Sequence, residues 1–178
     1  MRICMGILLV ASMLPLSGCF EMPSVYPLYT EQTAVAEPRL VGAWQTKDGK
    51  EQVFVKQTGD RQYRLTYIDE RGEGSIYELR LVKFGETLVA DMMPVKEDVG
   101  IPAHHFLALL FNDPALKVWF LDSSALREKA GKDSLAYIRG KKDEVILTAK
   151  TDSLAAFLKQ NMAEEIKRGA DLELLALK

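Results

Sequence analysis

Gln62-Tyr63-Arg64-Leu65-Thr66-Tyr67-Ile68 alternates without a break, with Tyr63, Leu65 and Tyr67 on one face and Arg64 and Thr66 on the other. A period of two marks a half-buried strand, because successive side chains on an extended backbone point to opposite faces. The same rhythm runs outward in both directions. Upstream, Leu40–Thr46 and Gln52–Gln57 are short apolar runs closed by Lys47-Asp48-Gly49-Lys50 and by Thr58-Gly59-Asp60-Arg61, both turn signals. Downstream, Asp69–Gly74 breaks the pattern, Tyr77, Leu79 and Leu81 alternate against Glu78 and Arg80, and Gly85-Glu86 reads as a hairpin loop into Thr87–Met92. Strands joined by turns this short pair with their neighbours, so the stretch predicts an antiparallel β-meander.

Beyond a looser connection with Pro94, Gly100 and Pro102, His104–Phe111 and Leu116–Leu121 flank Asn112-Asp113-Pro114, a further hairpin. The first of these is apolar on both faces, so it is a strand buried on both sides or a helix; periodicity does not decide. A short helix from about Ser124 to Ala130, capped by Asp122 or Ser123 and closed by Gly131, follows. Leu135–Arg139 and Val145–Thr148 are two more strand candidates. The strongest helix comes late: Thr151 or Asp152 caps it, Leu154, Phe157, Leu158, Met162 and Ile166 form its apolar face, and Gly169 ends it. Leu172–Leu177 is a last strand or a packed tail. The fold class expected is mainly β (α+β), with a C-terminal α-helix against the sheet.

The N-terminus has a different character. Arg2 precedes an apolar run from Ile7 to Leu16 that stops at small residues, the layout of a secretory signal peptide and too short for a membrane span. The stop, Leu16-Ser17-Gly18-Cys19, resembles the lipobox of bacterial lipoproteins, and the whole chain looks like the small lipoproteins of Gram-negative bacteria. That resemblance implies a signal peptide over 1–18 and acylation of Cys19, which becomes the new N-terminus. Two or three acyl chains would then hold the protein permanently on a membrane. In the sorting pattern of such lipoproteins an Asp after the cysteine retains the protein in the inner membrane. Phe20 therefore points to the outer membrane, on its periplasmic face. Residues 19–38 carry Pro23, Pro27 and Pro38 and no steady period, and read as a lipidated tether whose ends lie about 25 Å apart as a flexible coil. Tyr26, Leu28 and Tyr29 are costly in a linker and are expected to pack on the domain or plug the mouth of a pocket. The globular domain is then 39–178.

Composition narrows the function. Lys and Arg number 23 against 25 Asp and Glu, with no basic block, so nucleic acid is not an expected partner. The only cysteines are Cys4, lost with the leader, and Cys19, so the mature chain has no disulfide and rests on an ordinary core. His104 and His105 are adjacent, and on a strand they face opposite ways, so they do not share a metal. No Gly-x-Ser-x-Gly elbow is present, Gly72-Glu73-Gly74-Ser75 lies between strands and reads as a turn, and the carboxylate pairs fall in turns or on a polar helix face. The expectation is a non-enzyme without cofactor or metal.

Gly42-Ala43-Trp44 on the first strand resembles the Gly-x-Trp at the start of lipocalin barrels. The resemblance implies a barrel whose floor the Trp44 indole closes beneath a basic residue, for which Lys150 is the candidate. An inward set of Trp44, Tyr63, Tyr67, Tyr77, Met92 and Trp119 would then line a small apolar ligand site, or fill a solid core. Three functions compete: a binding module for a small apolar ligand, an accessory protein docking on another cell-envelope protein, and, third, a hydrolase with an unrecognised site.

Overall fold

The structure, a computed structural model, describes residues 23–95, 103–121, 123–139, 145–165 and 171–177. The alternation at 62–68 becomes β4 (Gln62–Ile68), flanked by β3 (Gln52–Gly59) and β5 (Gly74–Phe84). With β2 (Gly42–Thr46), β6 (Thr87–Pro94), β7 (His105–Asn112) and β8 (Ala115–Phe120), each strand pairs antiparallel with the next in sequence. The chain's last strand, β11 (Asp171–Ala176), enters between β8 and β2 and closes an eight-stranded barrel. Closure leaves none of these strands with a bare edge. The expected meander is thus a barrel, and the apolar ending at 172–177 is its eighth strand.

Two apolar clusters lie on either side of the β5–β8 wall. Inside are Leu79 and Leu81 of β5, Leu88, Ala90 and Met92 of β6, Leu107 and Leu109 of β7, and Leu116 and Val118 of β8. Outside, Val82, Val89, Phe106 and Ala108 pack beneath α1 (Ser123–Lys132), the hairpin β9 (Tyr137–Arg139) and β10 (Val145–Leu147), and α2 (Thr151–Glu165). This resolves the 104–111 ambiguity: β7 is a strand, apolar on both faces because both are covered. Helix α2 buries Leu154, Phe157 and Leu158, as its spacing predicts, and begins at Thr151 itself. Ile166 and Gly169 lie outside the described residues. Trp119 corrects the inward set. It pairs with Ala108, out of phase with Val118 and Phe120, and packs in the outer cluster.

The stretch read as a tether lies on the barrel from residue 23 onward. Ser24 bridges His104 and Leu147, β1 (Ala34–Val35) pairs with β5, and a 3-10 turn at Pro38–Leu40 leads into β2. Leu28 is buried in the outer cluster, Tyr29 packs at its edge, and Tyr26 stays largely exposed. Proline content and lack of period suggested a coil, but a buried Leu28 with paired backbone outweighs the entropy of a free linker. A buried carboxylate clamps this segment. Asp91 Oδ2 accepts the Leu28 N–H at 2.6 Å, and Asp91 Oδ1 lies 2.6 Å from His104 Nδ1. Cys19, the leader before it and residues 20–22 lie outside the described residues.

Asp91→Ala removes both contacts at once and leaves the Leu28 N–H buried and unpaired. It should cost about 1–3 kcal/mol in denaturant unfolding and open residues 23–33 to proteolysis. An unchanged midpoint and cleavage pattern would show that the clamp contributes nothing.

Candidate functional site

The inward faces of the barrel do not fill it. A cavity of about 290 Å³ remains between them, walled by aliphatic side chains such as Val53, Val55, Leu79, Leu107, Leu109 and Leu174. An internal space of that size exceeds the small voids left by ordinary core packing, and it approaches the range of small-molecule sites.

One end of the cavity is shut. There the 3-10 turn brings buried Leu40 beneath the barrel, and the Trp44 indole N–H donates to the Leu40 carbonyl at 3.1 Å. Trp44 stacks at a tilt against Phe111, and the Arg39 guanidinium lies 4.4 Å above the Phe111 ring. Trp44 is therefore a buried plug with its polar atom satisfied. The cation over this floor is Arg39, immediately before Leu40, while Lys150 precedes α2 and lies on no barrel strand. Tyr63 seals the same end: it is fully buried, and its hydroxyl accepts the Glu37 N–H at 2.7 Å. It belongs to the plug rather than to the cavity lining.

At the other end β2 stops and β3, β5 and β11 begin. The lining there includes Glu51, Tyr67, Tyr77, Phe120 and Leu172. Tyr67 hydrogen-bonds Glu51, and burial, followed by the Glu51 carboxylate, pushes its phenol up to about 12. It is a fixed donor throughout the neutral range. Of the six residues singled out in sequence, Trp44, Tyr67, Tyr77 and Met92 line the cavity, Tyr63 plugs its floor and Trp119 lies outside. Sequence reasoning missed Glu51. Its signal was the register, since Glu51, Val53 and Val55 share one face across the entry to β3.

A second, smaller hollow of about 110 Å³ lies on the outer wall, bordered by Tyr29, Gln62, Glu78, Arg80, Asp91 and His104. Its groups are engaged with one another. Arg80 pairs with Glu31 at 2.7 Å and covers the Tyr29 ring, and Glu78 accepts from Arg64 at 2.7 Å and from Gln62. The Arg64 hydrogen bond holds the Glu78 carboxyl below its usual range, and burial raises the Tyr29 phenol. The His104–Asp91 pair has the geometry that orients a general base, but here it fastens the N-terminal stretch to the wall. Among the described residues no three His, Cys, Asp or Glu side chains gather to hold a metal ion.

Two outcomes follow from this geometry. Trp44→Ala should destabilise the domain by about 3–5 kcal/mol in denaturant unfolding, since it removes a large buried side chain that cannot be replaced by collapse. Trp44→Phe should cost less. An unmoved midpoint for the alanine variant would mean the floor does not depend on the indole. The second outcome is a titration. Tyr67 has its folded value raised above the ordinary 10.0 to about 12, so its stabilisation is complete below pH 10 and is lost as pH climbs towards 12. A phenolate absorbance titration should show a late step that Tyr67→Phe removes; a Tyr67 that ionises with the exposed tyrosines would contradict the Glu51 contact.

Comparison of the chain with protein-family models, with curated proteins and with solved structures finds no match.

Proposed function

We propose that the protein is a lipid-anchored binding module of the outer membrane, facing the periplasm, that holds a small apolar molecule inside a lipocalin-like barrel. The observation that carries this reading is the cavity itself: 290 Å³ of apolar space, plugged at the Trp44 end and edged with Glu51, Tyr67 and Tyr77 at the other. Apolar walls supply affinity through desolvation, and a few polar groups at one end orient the ligand.

The anchor supports the same reading. Ser24 pairs with His104, which directly precedes the first residue of β7, at the end of the barrel where the polar mouth lies. Ser24 is five positions after Cys19, a span of at most about 18 Å even fully extended. An acylated Cys19 would therefore hold the mouth beside the bilayer surface, and a ligand drawn from the membrane would have a short path into the barrel.

The test has two arms. Labelling with a clickable fatty acid should mark the wild type and not Cys19→Ser; a mature protein cleaved elsewhere and unlabelled would remove the anchor. Protein isolated gently from the envelope should carry a small apolar molecule by native mass spectrometry. Ala90→Phe, which fills the cavity from the middle of β6, should lose that molecule. An empty wild type with a reproducible crosslinked envelope protein would instead establish the accessory role.

A further inference from the structure

Resting on the binding-module reading, the mouth of the cavity has a property that narrows the ligand further. Its lining carries one ionisable acid, Glu51, beside two phenols, Tyr67 and Tyr77. Glu51, Asp69 and Tyr77 all oppose ionisation of the Tyr67 phenol. The groove just outside the mouth carries the carboxylates of Asp48, Glu51, Glu70 and Glu173 against the ammonium groups of Lys47 and Lys50. Of the two, Lys50 already lies 3.9 Å from both Asp48 and Glu70. A ligand's head group thus meets a net negative field, with a carboxylate acceptor and phenolic hydroxyls and, among the described residues, no cation in the cavity lining itself.

The volume bears on the tail. At about 30 Å³ per water-sized group, 290 Å³ admits roughly ten methylene-sized groups, one short alkyl chain rather than a diacyl lipid. Its far end would rest on Leu40 and Trp44, and its head at Glu51. We propose that the barrel selects single-chain amphiphiles with an uncharged or cationic head group and rejects fatty-acid anions, with Glu51 as the specificity-determining residue. A hydroxyl or ammonium head donates to the Glu51 carboxylate. A carboxylate head would sit against it in a partly water-excluded site, where like charges repel far more than in water.

The experiment is equilibrium dialysis of radiolabelled decanol, decylamine and decanoate against the acylated protein in phospholipid nanodiscs, with empty nanodiscs subtracted. Decanol and decylamine should bind about tenfold or more tightly than decanoate. Glu51→Gln should bring decanoate to within about threefold of decanol and weaken decylamine, which loses its counter-charge. Decanoate binding as tightly as decanol to the wild type, or a preference that survives Glu51→Gln, would overturn the selectivity and leave the binding module standing. Saturable binding of none of the three would overturn both.

Discussion

The structure depends on one pairing event, the entry of β11 between β8 and β2. Leu174 sits opposite Leu116 on one side and Thr46 on the other, and Leu175 likewise lies between Ala115 and Gln45, so two adjacent residues join the two ends of the sheet. Without β11, β2 and β8 would be exposed edges and the cavity would lose the wall that Leu172 and Leu174 provide. The chain delivers this strand late, after α1, the β9–β10 hairpin and α2. Those elements are not idle on the way. They cover the outer face of β5–β8, and this explains why β6 and β7 are apolar on both faces while Arg64 and Thr66 of β4 flank the inward Tyr63, Leu65 and Tyr67.

The double-sided wall has a consequence for the cavity. A strand packed on its outer face cannot readily shift inward to fill an interior void, because it would abandon Val89, Phe106 and Ala108 to do so. At the floor, Tyr63, Trp44 and Leu40 are tied to backbone atoms of the N-terminal stretch or to each other. Asp91 and His104 fix that stretch from outside. The hollow is thus held open by contacts made elsewhere, and among the described residues the carboxylate and phenols of its lining stand at the end left unsealed.

Much of this was legible in the sequence. The period of two at 62–68 placed Tyr63, Leu65 and Tyr67 on one face, and the structure keeps that face inward. Tyr77 was found by the same rule. Trp119 was not, because an aromatic on a strand covered on both sides carries no sign of which face it takes; only the pairing with Ala108 tells. The stretch from residue 23 misled for a related reason. Its burial rests on Leu28 and on backbone hydrogen bonds to Asp91 and His104, partners more than sixty residues away. Glu51 was hidden by chemistry, since a glutamate beside a turn reads as solvated surface until the register of Val53 and Val55 is extended to it.

The barrel is hollow, floored by Trp44 and open at the Tyr67 end. Trp44 faces that space and Trp119 the outside, so the two tryptophans of the chain can be separated. In a Trp119→Phe variant, decanol brominated on its terminal carbon should quench the remaining tryptophan fluorescence strongly and saturably, and decanol brominated beside the hydroxyl should quench it much less. Equal quenching by both, or none by either, would contradict a chain seated with its tail on the floor.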